Sequence, residues 1–374
     1  MRVLWWVLCW FCLGAVGSAR AEETAEFTPE LQVLFRVAAC AGDAPLPAHF
    51  DAHEVAAHCR ALDAALKDFR RHWLQQAGPF FTQLVPTGLP EAVVYPFGGG
   101  DLLAALLVFP DAREYTTLSL ERAGDVRVLG ALPRQQLGEA LGAIRGQVIH
   151  LFRLAHSKTD DMRHLARRRV PVELIDALVA LAVTGHQPLS LRYFELRPDG
   201  TLGYLPRAEI ENAGDDAARR MVNVEIEFQG PGGVRKVFRH VAANLDDDHL
   251  AADSAVLRHL ETKGRVAAMT KAASYLLWWR SFTRIREYLL GHMEWMVSDS
   301  TGIPLEEAQA AGFEQVTYGR FVGPFFAGER RKTQAFVQLW KDSPYRPLVF
   351  RFGYPDSGGH SHLLVTRRMA ARAR

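Results

Sequence analysis

Four runs of alternating hydrophobicity crowd into about fifty residues, and they limit the fold more than any other feature of the chain. Residues 189–196 and 202–205 flank Arg197-Pro198-Asp199-Gly200. Residues 222–228 and 234–241 flank Gln229-Gly230-Pro231-Gly232-Gly233. Connections this short, made of Pro, Asp and Gly, fold strands back on their neighbours, so the four runs predict an antiparallel sheet. A chain with such a sheet must cover at least one of its faces, and the rest of the sequence supplies helices.

The N-terminal part supplies the first of these. Thr28-Pro29 suits the start of a helix, with Thr28 as cap, and the helix runs to Cys40. Val55, Cys59, Leu62, Leu66, Phe69 and Trp73 form the apolar stripe of a second helix. Pro45 and Pro47 break the chain between them, which predicts a helical hairpin over 22–78 stapled by Cys40 and Cys59. Two buried free thiols are the alternative. With no third ligand nearby, these cysteines make a poor metal site, and no metal or cofactor is expected.

Residues 95–121 read as strand, glycine turn, short helix and strand, with Asp101 as helix cap. Three glycines before a helix invite a phosphate cradle, but no lysine follows and Asp101 repels anions. Helices are predicted at 133–152 and 171–183, the latter ending near Gly185. Residues 156–169 read as a loop with a short helix. Asp246-Asp247-Asp248 lacks the spacing of a calcium loop and reads as the acidic start of a helix over 249–263.

Residues 269–304 look like the centre of the chain. Tyr275, Leu276, Trp279, Phe282, Ile285 and Leu289 fall three or four apart and predict one buried helical face, stopped at Gly291. A core strand at 295–297 and a polar turn, Ser298-Asp299-Ser300-Thr301-Gly302, follow. Beyond Pro304 come a helix at 305–311, a strand at 313–321, a helix at 329–341 and closing strands at 348–352 and 361–366. The reading is α+β: a mixed, largely antiparallel sheet with packed helices and an N-terminal helical hairpin, one domain over 22–374.

Arg2, the apolar run 3–16 and Ala19-Arg20-Ala21 predict a signal peptide over 1–21, too short in its apolar part to anchor comfortably in a bilayer. Cys9 and Cys12 lack the preceding small residue that lipid attachment requires. Without that segment the chain holds 42 lysines and arginines against 42 aspartates and glutamates. Such balance, with no basic block, argues against nucleic acid as partner, and Arg367, Arg368, Arg372 and Arg374 read as a solvated tail. The expectation is an exported protein, periplasmic or extracellular, with no transmembrane anchor after cleavage.

Several groups could carry chemistry. His360 and His362, two apart on a strand, share a face and could hold a metal, but a third ligand is missing. Ser274, His292 and Asp299 could assemble as nucleophile, base and orienter, although no nucleophile elbow surrounds Ser274. Paired carboxylates for glycoside cleavage cannot be chosen among 42 acids from sequence.

Five segments then resemble a family of bacterial exported proteins of unknown function: YPFGGGDLLAALLVFP (95–110), TKAASYLLWWRSFTRIREYLL (270–290), SDSTGIP (298–304), TYGRF (317–321) and the closing FGYPDSGGHSHLLVTRR. The family pattern reads Tyr-x-Phe-x-Gly-Pro-Asp, Lys-x-Ala-Ser-Tyr-Leu, Asp-Asp-Ser-Gly-Ile-Pro, a Tyr-Gly pair and Ser-Asn-Leu. Gly100 stands for the proline, Ser298 for the first aspartate of the turn, Thr301 for its glycine and His362 for the asparagine. The resemblance implies no activity. Asp299, Asp101 and Ser274 are the catalytic candidates, and Tyr95, Asp101, Tyr275, Thr301, Tyr318 and His362 the candidates for ligand contact. Two functions fit: binding of an envelope component or partner protein, or hydrolysis of an extracellular or cell-wall polymer through acidic residues.

Overall fold

The computed structural model describes residues 27–154, 170–251, 254–299, 301–324 and 334–369. The expected signal segment, the loop at 156–169 and the first residues of the helix at 329–341 lie outside the described residues.

The strands are β1 (Ala92–Pro96), β2 (Glu114–Ser119), β3 (Gln187–Leu196), β4 (Leu202–Tyr204), β5 (Asn223–Gln229), β6 (Arg235–Ala242), β7 (Val266–Thr270), β8 (Met293–Ser298), β9 (Phe313–Gly319) and β10 (His362–Arg368). They form one mixed sheet in the order β4-β3-β5-β6-β2-β1-β7-β8-β10-β9. Both predicted hairpins, β3/β4 and β5/β6, pair antiparallel, and β3 joins them by pairing with β5. β10 pairs antiparallel with β8 and β9 at the other side. Between these flanks, β6, β2, β1, β7 and β8 run parallel. Most pairings are antiparallel, as expected, but the centre of the sheet is not.

Helices cover both faces. On one face lie α1 (Thr28–Ala38), α2 (Ala52–Phe69), α3 (Gln75–Leu84), α4 (Leu102–Val108), α5 (Arg134–Leu154) and α6 (Val172–Val183). Their apolar residues meet Val93, Tyr95, Ala267, Met269, Trp295 and Val297 of the central strands. The opposite face buries Val94, Val266, Ala268, Met293 and Met296 under Leu257, Leu260, Ile285 and Leu289. Alternate residues of one strand thus enter two cores. The α+β reading holds.

The Cys40–Cys59 disulfide forms, with Cα atoms 5.4 Å apart. It ties α1 to α2 while each rests on a different neighbour, α1 on α6 and β3, α2 on α5. Serine at both cysteines should lower the unfolding free energy by about 3 kcal/mol, because the opened chain regains loop entropy. Urea melts test this, and a loss below about 1 kcal/mol would show that the bridge is dispensable to stability.

Local readings need correction in several places. The first helix is capped at Phe27 rather than Thr28, and no side chain caps it. The long helix expected from Tyr275 to Leu289 is instead two 3-10 turns, Ser274–Trp278 and Arg280–Phe282, followed by a helix at Thr283–His292. The turns break the helical register, so Trp279 is exposed rather than buried. Gly291 stays inside that helix, and β8 begins directly after it. Asp246–Asp248 do not open their own helix. That helix spans Ala255–Glu261 under a Ser254 cap. Asp247 instead accepts from the N–H groups of Thr283 (3.1 Å) and Arg284 (2.9 Å), capping a helix remote in sequence. Residues 348–352 pair with no strand among the described residues.

Candidate functional site

In a parallel sheet the carboxyl ends of the strands all face one way, and the loops leaving them are free to converge. Here β1 leads through Phe97 and three glycines to α4, β7 leads into Lys271, and β8 leads into Asp299. The backbone bends sharply at each exit: φ is +60° at Phe97, +67° at Ala272 and +54° at Gly302. Left-handed non-glycine residues are costly and persist where surroundings enforce them.

Asp101 caps α4 by accepting from Ala104 N–H through Oδ1. Its Oδ2 accepts from the Tyr95 hydroxyl and faces Lys271 Nζ, each at 2.7 Å. Lys271 lies over the Phe352 ring, 5.6 Å from its centroid. The Tyr95 phenol is pushed well above its ordinary range by burial, with the negative fields of Asp101 and Asp299 adding to it. Gly98 packs flat on that phenol. A Cβ there would sit 2.3 Å from the ring, so only glycine fits.

Asp299 is wrapped by donors from three directions. Its Oδ2 accepts from Ala272 N–H (2.9 Å) and Tyr354 N–H (2.8 Å), and its Oδ1 from the Ser274 hydroxyl (2.6 Å). Burial raises its carboxyl to about 6, although Ser274, the two N–H groups and Lys271 all pull the other way. Gly353 closes the last side: φ is +70° and a Cβ would lie 1.8 Å from Asp299 Oδ2.

A further acidic layer lies beneath the glycine loop. Glu173 Oε2 accepts from Gly100 N–H at 2.6 Å, and burial together with Glu121 and Asp176 pushes Glu173 well up. Asp176 accepts from Gln147 at 3.0 Å and is pushed up to about 8 by burial, with Asp101 adding to it. Both acids sit in the first turns of α6.

The sequence candidates separate cleanly in space. Tyr95, Asp101, Ser274 and Asp299 come together, with Thr301 buried in the adjoining turn. His292 does not join Ser274 and Asp299. It precedes β8 while Asp299 follows it, a strand length of about 20 Å. Its ring stacks on Tyr288. Tyr275 sits in the adjoining 3-10 turn, half-buried. Tyr318 lies on β9 against Phe80 and Arg346. His362 is buried on β10 against Phe321 and Trp340, and His360 instead bonds Asp356. The two histidines therefore occupy different environments. Lys271 escaped the sequence reading, although the Lys-x-Ala-Ser pattern held it. So did His58, which stands next to Cys59 and supplies the third donor atom that the cysteine pair lacked in sequence.

Chemically, the centre is closed. Exposure is 1% at Tyr95, 4% at Asp101 and Lys271, and 0% at Ser274 and Asp299, and the two carboxylates are engaged by Tyr95, Lys271 and Ser274 and by backbone N–H groups. An open groove of about 730 Å³ lies at the other end of the sheet. Leu106, Leu107, Pro110, Val183 and Val234 give it apolar walls, and Glu91, Asp111, Arg113, Thr184, His186 and Lys236 add polar edges of both signs. Among the described residues, no helix is long and apolar enough to cross a membrane. No family model, curated protein or solved structure matches the chain.

Proposed function

We propose that this is an exported bacterial envelope protein that acts by binding. The observation that carries the reading is the contrast between the two ends of the sheet. Groups able to do acid–base chemistry are shut inside, and the two carboxylates at the strand ends, Asp101 and Asp299, are satisfied by internal donors, which suits bracing three loops better than turnover. The groove at the opposite end combines apolar walls with a few polar groups, the usual make-up of a small-molecule site. Its occupant is an envelope component with an apolar body and a polar head. The paired cysteines agree with an oxidising compartment.

Thermal melts against a panel of envelope lipids and wall fragments test the reading. An amphipathic component should raise the melting temperature of the wild-type chain and leave Leu107→Asp unmoved. Equal shifts in both proteins would place binding elsewhere, and no shift with any component would remove the reading.

The hydrolase alternative keeps one supporting observation: Asp299, raised to about 6, stands near Lys271 and Asp101 at the strand ends where open sheets place ligands. Release of soluble fragments from wall polymer by wild type, lost in a fully stable Asp299→Asn, would favour it.

A further inference from the structure

We propose that Cys40, Cys59 and His58 form a redox-gated site for a soft d10 cation, zinc(II) above all, closed while the disulfide stands and opened when a dithiol reduces it. The two sulfurs and one imidazole nitrogen already lie within 4.8 Å of one another. Tetrahedral zinc, with Zn–S near 2.3 Å and Zn–N near 2.0 Å, needs its donors roughly 3.5–3.8 Å apart. The reduced sulfurs must therefore separate by about 1.7 Å, under about 1 Å each, and the imidazole must close in by about 1 Å at most. The backbone holds the set in place. Cys59 and His58 are neighbours on α2, and Cys40 follows the end of α1 in a left-handed conformation, φ +57°, where a non-glycine residue is unusual.

The histidine is built in rather than loose. Its exposure is 1%. Nε2, which carries the proton of the neutral ring, lies 3.4 Å from the Ala38 carbonyl, the kind of partner a ligating imidazole usually has, and Nδ1 accepts from Arg145 Nη1 at 3.1 Å. The metal takes the Nδ1 lone pair and displaces the Arg145 N–H, while Nε2–H stays on the Ala38 carbonyl. Arg145 is no obstacle, because two thiolates and a dication sum to zero, and a nearby guanidinium favours the thiolate form.

The chemistry closes. The disulfide takes two electrons and two protons from the dithiol, giving two thiols and the reductant's own disulfide. Zinc then displaces both thiol protons to solvent, while the neutral imidazole adds a lone pair and a water fills the fourth position. With the bridge intact neither sulfur is a thiolate, so the metal has no anionic ligand.

The test compares the protein with its bridge intact to the same protein reduced with excess dithiothreitol and freed of it under argon. Each is titrated with zinc(II) against a chromophoric chelator. One equivalent bound by the reduced chain and none by the oxidised chain is expected. Cys40→Ser should abolish uptake, and His58→Gln should weaken it about tenfold or more. No uptake by reduced wild type, or equal affinity in His58→Gln, would overturn the proposal. Should His58→Gln fail to fold, X-ray absorption of the reduced, zinc-loaded wild type decides: two sulfurs with imidazole scattering support the site, and sulfur without imidazole rejects it.

Discussion

Asp299→Ala should lower the stability of the chain by about 3–5 kcal/mol, against about 1–2 kcal/mol for Asp299→Asn. Alanine strands two buried donors, the N–H groups of Ala272 and Tyr354, which meet on Oδ2. It also leaves a hole beside Gly353, in a place where no side chain can follow. Asparagine keeps one oxygen for both N–H groups. The Ser274 hydroxyl, which also donates to the Asp299 carbonyl at 2.8 Å, can turn to accept from the new amide. Urea melts of both variants at neutral pH check the ordering. An alanine variant as stable as wild type would mean that the three loops hold without their central acceptor.

The tie at Asp299 was only partly legible in the sequence, and the reason is physical. Asp299 sits in a polar turn that can be recognised locally, but its partners at 272, 274 and 354 are brought in by β7, β8 and the segment before β10. That convergence depends on parallel pairing. The antiparallel hairpins were readable because each is joined by its own turn and shows a period of two. The parallel strands carry no such mark. β7 is buried along its whole length, because helices cover both of its faces, so alternation is erased. The error over 275–289 has a related cause. Apolar residues three and four apart suit a helix, yet Lys271 and Ser274 are pinned to Asp101 and Asp299, and the chain reaches Thr283 by two tight turns instead. Asp247 shows the same limit: its acidic run was visible, but the helix it caps begins 36 residues later.

Asp176→Asn should do the opposite of Asp299→Ala and stabilise the protein, increasingly so as the pH rises from about 4 to about 8. Asp176 is fully buried, and one of its oxygens, Oδ1, has no partner among the described residues. Its carboxyl is raised to about 8 from an ordinary value of 3.8, burial being the main cause. Between those values the folded chain holds a proton that the unfolded chain has released. Stability from this group is therefore fully present below about 4 and drains away as pH rises, at about 1.4 kcal/mol per unit for one proton. Asparagine presents the same oxygen to Gln147 and carries no charge to bury, so that loss disappears. At pH 8 the variant should be more stable than wild type by on the order of 5 kcal/mol, and at pH 4 nearly equal to it. Some slope should survive, because Glu173 is also raised in the folded state, and adding Glu173→Gln should flatten it further. Denaturant melts across pH 4 to 8 read this directly. A constant gap between wild type and Asp176→Asn over that window would show that Asp176 is not the group whose proton the fold retains.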